Sequence, residues 1–257
     1  KLREALFSST QAYVLDVTAQ LADDVSARLS AHRQELLMVA DSIPMLGGGE
    51  RLESFLIRKQ AVSEFDSLVL VDRAGNCVPD TVEMAELPGQ QCIQAAFRGE
   101  SRMADMEGVS IIFAVPVPGG QDEVSAVLVG LCGQKHLQQM IHSPSFSGQG
   151  QTCIVNSGGE VIVPPDDDAL FRQAGLFGAD GTVHWDTLKR TKNALDQGRE
   201  GLVDLPAGSG AALLLAYYPL DLNDWALLTL VPANLISGDA NDYILRTYLI
   251  IGGIILA

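Results

Sequence analysis

The first part of the chain carries apolar residues at the spacing of a helix. Residues Leu6 to Ile43 include no Gly or Pro, and their apolar or half-apolar positions recur every three or four residues, as on one face of a helix. These positions are Val14, Val17, Leu21, Val25, Leu29, His32, Leu36, Val39 and Ile43. The pattern predicts one helix of roughly 50 Å or more, which either runs along two stacked subdomains or pairs with a copy of itself.

After this helix the pattern changes to short apolar runs separated by turn residues. Leu52 to Ser63 is predicted as a second helix, and Phe65 to Val78 as a β-hairpin, because two apolar runs flank a polar turn that holds Gly75. The following elements are a helix with Pro88 in its first turn, two strands and a further helix: Pro88–Phe97, Ser110–Val117, Val124–Cys132 and Gln134–Ile141.

The same order then returns. Thr152 to Val163 is again strand, polar turn and strand, with Asn156 in the place of Asp72 and Gly159 in that of Gly75. A helical stretch and two more strands follow, at Asp186–Leu195, Ala211–Leu220 and Trp225–Val231. The sequence therefore predicts an α+β protein in which two copies of a β-β-α-β-β unit follow one long helix.

Both ends of the chain suggest a membrane. Tyr248 to Ala257 reads YLIIGGIILA, ten uncharged and mostly apolar residues, whereas a membrane-crossing helix needs about 20. We therefore expect residues 239–257 to begin a transmembrane helix. Lys1 opens directly into helical sequence without an initiator Met or a signal peptide, so we expect a second membrane helix before it.

Composition narrows the possible partners. Hydrophobic residues make up 47% of the chain, enough for a packed core. The formal charge of −15 argues against binding to nucleic acid or to an anionic membrane surface, since both require clustered Lys and Arg. Outside the membrane, the four cysteines could form the disulfides Cys77–Cys92 and Cys132–Cys153, but their apolar surroundings favour free, buried thiols.

Motifs for catalysis or metal binding are absent from the sequence. It contains no G-x-S-x-G elbow, no phosphate-binding loop and no H-E-x-x-H pair, so we predict no catalytic residue and no cofactor. Asp166, Asp167 and Asp168 lack the alternating ligands of a calcium loop and are predicted as a solvated turn. His136 and His142 lie six residues apart on a helix and face different ways, which argues against a shared metal.

The whole pattern resembles the double Cache (dCache) family of bacterial extracytoplasmic sensor domains. The likeness is carried by SLVLVDRAGNCV, the pair IIFAVPV and VSAVLVGL, the hairpin GQTCIVNSGGEVI and the closing YYPLDLNDWALLTLVP. The resemblance implies two tandem five-stranded PAS-like units behind the helix. It divides the chain into 1–43 (helix), 44–143 (membrane-distal unit), 144–238 (membrane-proximal unit) and 239–257 (exit helix).

Family membership also implies a role and a location. The domain would lie outside the cell membrane, held by flanking helices, in a homodimer. It would report to a downstream output such as a histidine kinase, a diguanylate cyclase or a chemotaxis domain. The amino-acid-binding members carry an R-x-W-Y-like motif, but the corresponding FRGESRMADMEG has no Trp or Tyr, so amino-acid recognition is not implied.

A small-molecule pocket needs a few convergent polar groups on an apolar wall. Between the short helix and the third predicted strand, Arg98 and Arg102 suit an anionic ligand and Asp105 suits an amine. Phe113 alternates inward in the strand that follows. We predict these four residues as the ligand site. In the second unit, only one of Tyr217 and Tyr218 can face a pocket, because adjacent strand residues point to opposite sides.

The resulting hypothesis is a small-molecule-sensing domain of a transmembrane receptor, itself without enzymatic activity. The alternative is an ectodomain that binds a protein partner and has no small-molecule pocket. An interior of the membrane-distal unit filled with apolar side chains, or an exposed apolar patch, would favour the alternative.

Overall fold

The computed structural model describes residues 2–106, 110–120, 123–142, 146–178, 181–186, 188–205 and 212–233. The helices are α1 (Leu2–Ser42), α2 (Glu50–Val62), α3 (Gln90–Phe97), α4 (Gln134–Ile141), α5 (Ala169–Gln173) and α6 (Lys189–Leu195). The first five strands are β1 (Ser67–Asp72), β2 (Cys77–Val78), β3 (Arg102–Met106), β4 (Ser110–Pro118) and β5 (Val124–Gly133). The other five are β6 (Gln151–Val155), β7 (Val161–Val163), β8 (Gly201–Leu205), β9 (Leu213–Pro219) and β10 (Ala226–Pro232).

The predicted long helix is confirmed, with one change in its buried stripe. From Val25 to Ile43 the predicted positions are buried, His32 among them. In the N-terminal half, Thr18 and Ala22 are buried while Val17 and Leu21 are only half-buried. Thr18 is accommodated there because its hydroxyl donates to the carbonyl of Val14 at 2.8 Å, which satisfies the buried polar group within the helix.

The two predicted repeats are confirmed as two five-stranded antiparallel sheets with the same topology. The first has the order β2-β1-β5-β4-β3 and the second β7-β6-β10-β9-β8. The aligned turn residues behave alike: the amide of Gly75 donates to the carbonyl of Asp72 at 3.1 Å, and that of Gly159 to Asn156 at 3.0 Å. Both glycines have left-handed backbone, with φ of 87° and 92°, which explains why the turn requires glycine.

Residue patterning alone missed the strands β3 and β8, and it placed one helix start wrongly. Both missed strands pair with only one neighbour, and their residues are mostly half-exposed, so they lack the apolar run that marks a central strand. Helix α3 begins at Gln90, two residues later than predicted. Gly89 before it has φ of 66°, so Pro88 lies outside the helix and not in its first turn.

The chain forms two compact units, each with its own core. The first unit comprises residues 25–140, and the second comprises residues up to 24 together with the described residues from 141 onward. In each unit one face of the sheet packs on short helices and the other on a part of α1. The predicted α+β class and the long helix followed by two sheets are therefore confirmed.

The four cysteines are buried free thiols, as their apolar surroundings favoured. Among the described residues, no helix is both long enough and apolar enough to cross a membrane. The predicted exit helix, 239–257, lies outside the described residues, and the predicted boundaries of the two units stay predictions.

Candidate functional site

The first sheet has two faces, and the predicted ligand residues are divided between them. The α3 face, named after the helix that covers it, carries apolar side chains from β1, β4 and β5: Val69, Val71, Ile112, Ala114, Val127 and Val129. The α1 face carries the alternate residues, among them Ile111 and Phe113, which are fully buried. Register and alternation put Arg102 on the α3 face and Asp105 on the α1 face.

Helix α3 lies close against its face of the sheet. It contributes Cys92, Ile93 and Ala96 to the same buried cluster. A Cβ atom added at Gly89 would lie 2.8 Å from Cγ2 of Ile112, a distance that side chains do not tolerate. The described side chains of this cluster are all apolar, so the interior between α3 and the sheet is closely packed at this point.

Arg98 ends α3 and Arg102 begins β3, and Glu100 lies between them in the turn. Nη2 of Arg102 donates to Oε2 of Glu100 at 2.7 Å, and the two side chains are 60% and 50% exposed. The hydrogen bond and charge of Arg102, with a smaller contribution from Arg98, hold the pKa of Glu100 below its usual range. Two guanidinium groups thus act on one carboxylate, which is an arrangement that also suits a carboxylate ligand.

Asp105 and Phe113 lie elsewhere. Phe113 packs beneath α1, with its ring 6.3 Å from His32 and 5.7 Å from Phe65, centroid to centroid. Asp105 is paired with Ile111 in the strand register and is half-buried. The charges of Arg98 and Arg102 therefore both act on Glu100, whereas Asp105 and Phe113 lie on the opposite face of the sheet from Arg102.

The second unit contains two clefts that the sequence did not indicate. One, of about 380 Å³, lies between the β6–β7 turn, the β9–β10 turn and α6. Its lining residues include Trp185, Trp225 and Asp224. The carboxylate of Asp224 accepts hydrogen bonds from the amide and the hydroxyl of Ser157. These residues are far apart in sequence and carry no shared motif.

The other cleft, of about 610 Å³, is lined by His142 and Asp166 among others, and His142 Nδ1 lies 2.8 Å from Asp166 Oδ2. Asp167 accepts from the amide of Ala169, and Asp168 pairs with Arg172. Within the part of the chain that the structure describes, no group of three or more His, Cys, Asp and Glu side chains is placed to hold a metal ion.

The tyrosine pair in β9 behaves as strand geometry requires. Tyr217 points into the core of the second unit, and Tyr218 is half-buried. Burial, with the charge of Asp23 on α1, raises the pKa of Tyr218.

Comparisons with solved structures identify the class of fold. The ligand-binding domain of the Pseudomonas fluorescens chemoreceptor CtaA, in complex with L-serine, matches with a TM-score of 0.65 and 17% identity, over 90% of this chain and 99% of that one. The ligand-binding domain of the Campylobacter jejuni chemoreceptor Tlp3, in complex with L-valine, matches with a TM-score of 0.66 and 12% identity, over 91% and 97%.

A third match is the extracellular domain of soHK1S-Z6, named as a histidine kinase, with a TM-score of 0.65 and 12% identity, over 93% of this chain and 100% of that one. The sequence matches no protein-family model and no curated protein. The chain therefore has the fold of the extracellular ligand-binding domains of membrane receptors, and the expected double Cache architecture is confirmed at the level of fold.

Proposed function

We propose that this chain is the extracytoplasmic small-molecule-sensing domain of a membrane receptor. The observation that carries the proposal is the repeated five-stranded sheet of order 2-1-5-4-3 behind one 41-residue helix. Ligand-binding domains of chemoreceptors share this architecture over almost their whole length. Sensing by such a domain is a binding function, and the segment itself would have no enzymatic activity.

We propose a carboxylate-bearing ligand, held by Arg98 and Arg102 at the rim of the α3 face. Two guanidinium groups supply parallel N–H donors that match a carboxylate. Glu100 occupies this position in the described structure and would be displaced by the ligand. Asp105 and Phe113, predicted from the sequence as ligand residues, stay predictions, and the proposed carboxylate contact does not involve them.

A thermal-shift screen against L-amino acids and di- and tricarboxylic acids tests the proposal. A ligand at a hundred times its Kd stabilises the folded state by about 2.7 kcal/mol, so a genuine ligand raises the unfolding temperature measurably. Arg102→Gln should remove the response while leaving the fold intact. Arg73→Gln is the matched control, since Arg73 is also an exposed arginine of the first unit, with its Nε donating to the carbonyl of Val124.

Glu100→Gln gives a second, opposite test. Because the competing charge is removed, a carboxylate ligand should bind up to about five-fold more tightly, the size expected from an exposed ion pair. If a ligand is found whose affinity is unchanged by both Arg102→Gln and Glu100→Gln, the arginine site is wrong but the sensing function stands. If no compound of the panel stabilises the protein, the sensing function itself is contradicted.

The proposal also covers the output, the membrane attachment and the assembly of the receptor that contains this domain. The structural neighbours are parts of a histidine kinase and of chemoreceptors, which supports an output of one of these two kinds. A diguanylate cyclase output stays a prediction from the family resemblance. We propose attachment to the cell membrane through helices on both sides of the domain and assembly as a homodimer.

A second candidate function is an ectodomain that binds a protein partner. Two observations favour it: the apolar packing beneath α3, and large apolar side chains exposed on the first unit. Met45 is 87% and Val62 82% exposed, and Met38 and Ile57 are more than half exposed. Replacing Met45 and Val62 with Ser should abolish binding to such a partner without changing any response to small molecules. If the double variant still responds to a small molecule and keeps the oligomeric state of the unaltered protein, the second candidate is excluded.

A further inference from the structure

The clearest unexplained feature of the first unit is a buried histidine on the long helix. His32 is only 7% exposed. Its ring lies nearly parallel to that of Phe113, with 27° between the planes, and meets Phe65 edge to face at 5.6 Å. The imidazole is therefore fixed between α1 and the sheet, and its two nitrogens cannot both reach water.

Each ring nitrogen faces an acceptor. Nδ1 lies 2.8 Å from the carbonyl oxygen of Arg28, and a carbonyl can only accept, so Nδ1 carries a hydrogen. Nε2 lies 3.0 Å from Oε2 of Glu64, and an ionised carboxylate also only accepts. In the neutral ring Nε2 would present a lone pair to the Glu64 oxygen, and that contact would be repulsive. With a hydrogen on both nitrogens, both contacts are attractive.

The contact with Glu64 is mainly one of charge. The Glu64 oxygen stands off the line of the Nε2–H bond, so the 3.0 Å distance is not accompanied by an aligned hydrogen bond. Charge attraction depends on distance more than on angle, whereas a hydrogen bond requires both. The attraction therefore exists only while the imidazole is charged.

The other ionisable groups around His32 carry charges of both signs. On the described elements packed against it they are Glu64 and Asp66 from the α2–β1 connection, Cys132 from β5 and His136 from α4; its neighbours on α1 are Arg28, Arg33 and Glu35. Burial raises the pKa of the Cys132 thiol to about 12, with contributions from the charges of Asp66 and Glu64. The field of these two carboxylates thus reaches the sheet surface beneath α1.

The α2–β1 connection joins three elements. Glu64 meets α1, and the ring of Phe65 packs where Gly130 of β5 leaves room for it. Asp66 accepts from the amide of Gly133 at 2.6 Å and lies 3.3 Å from Nδ1 of His136, at the start of α4. A change at Glu64 therefore affects the attachment of α1 to the end of the sheet from which α4 departs.

We propose that His32 is an imidazolium whose contact with Glu64 makes the attachment of the long helix to the first sheet dependent on a proton. The contact forms when His32 is protonated and is lost when the proton leaves. In a receptor whose α1 leads toward the membrane, this contact would make the domain respond to pH as well as to a ligand. This response of the receptor rests on the proposed function, but the proton-dependent contact between His32 and Glu64 does not.

The test compares thermal unfolding of the protein and of Glu64→Gln between pH 5 and 8, the interval in which histidine side chains change charge. Gln keeps the shape of Glu64 and removes its charge. We expect the variant to unfold about 2–4 °C lower at pH 5.5 and the difference to fall by at least half at pH 8. Asp166→Asn is the matched control. It breaks the pair with His142, whose side chains are 58% and 64% exposed, and its effect should stay below about 1 °C at both pH values.

A difference for Glu64→Gln that is independent of pH, or that grows as the pH rises, overturns the proposal. The nitrogen chemical shifts of His32 in the unaltered protein provide a direct second measurement. Both nitrogens should show the imidazolium signature at pH 6, and a neutral ring at that pH would also overturn it. Neither result depends on whether a small-molecule ligand is found.

Discussion

Single residues in the first unit explain how closely α3 approaches the sheet. Gly89, the residue before the helix, has a left-handed backbone at φ of 66°, and its missing side chain allows Ile112 to pack against the chain at this point. Gly99, at the other end of α3, has a similar backbone with φ of 91°, but an added Cβ there meets nothing within 4 Å. Comparing substitutions at these two glycines therefore separates the effect of backbone conformation from the effect of close packing.

We predict that Gly89→Ala destabilises the protein more than Gly99→Ala. Both substitutions carry the left-handed backbone cost of about 1–2 kcal/mol. Gly89→Ala adds an overpacking cost of about 1–3 kcal/mol, because its Cβ would lie 2.8 Å from Ile112 Cγ2. Urea unfolding of the two variants measures the difference. Equal losses of unfolding free energy would show that α3 can move away from the sheet without cost.

The predicted ligand residues are separated by the strand register of the first sheet. The alternation of Phe113 with Ile111 in the sequence predicted that Phe113 is a buried strand residue. Its position against α1 did not, because alternation states that a residue is buried without stating which face of the sheet it occupies. Arg102 and Asp105 were grouped as neighbours in the sequence, and the unpredicted strand β3 separates them.

At the scale of elements, the two hairpins repeat one turn but differ in their attachments. In the second unit, Asp224 of the β9–β10 turn accepts hydrogen bonds from the amide and hydroxyl of Ser157 in the β6–β7 turn. In the first unit, Asp72 bonds within its own turn, to the amides of Ala74 and Asn76. The Ser157–Asp224 contact ties two turns together at the end of the sheet.

We predict a stability effect of Ser157→Ala that disappears in acid. The hydrogen bond from Ser157 holds the pKa of Asp224 below its ordinary value of 3.8. A carboxyl with a lowered folded-state pKa contributes stability above the unfolded value, and this contribution is lost as the pH falls through the folded value. The difference between the unaltered protein and Ser157→Ala should therefore be complete at pH 6 and shrink below pH 3.8.

Ser125→Ala is the matched control for that experiment. The hydroxyl of Ser125 donates to the carbonyls of Val117 and Pro118, which do not titrate, so its effect should be the same at pH 6 and pH 3. Urea unfolding at several pH values measures both variants. If the loss of unfolding free energy in Ser157→Ala is as independent of pH as that in Ser125→Ala, ionisation of Asp224 does not strengthen its contact with Ser157.

At the scale of the whole molecule, the chain contains two separately packed cores. Phe171 is fully buried in the second core and stacks on Phe177 with 4.7 Å between ring centroids. Phe113 is fully buried in the first. Because each core is assembled from its own sheet, a cavity in one should weaken mainly the unit that contains it.

We predict that Phe171→Ala costs about 3–5 kcal/mol and raises hydrogen exchange mainly in the second unit. The amides of β6, β9 and β10 should exchange faster, while those of β1, β4 and β5 keep their protection. Phe113→Ala should produce the reverse pattern. Hydrogen exchange with mass spectrometry of the two variants measures this, and a uniform loss of protection in either variant would show that the two units unfold together.

The sequence by itself determined the long helix, the positions of the central strands along the chain and the duplication, because helical and strand periodicities are local and are repeated over many residues. It also determined the turn glycines Gly75 and Gly159, since only glycine adopts their backbone without strain. The edge strands β3 and β8 depend on pairing with β4 and β9, because their own residues carry no continuous apolar run.

Only the tertiary structure decided which polar groups meet. His32 and Glu64 are 32 residues apart, and Ser157 and Asp224 are 67 apart. No local pattern relates such positions, because their contact depends on how helix, sheet and turns pack around a core. The contact of His32 with Glu64, the pairing of Arg102 with Glu100 and the separation of Phe113 from Arg102 all follow from that packing.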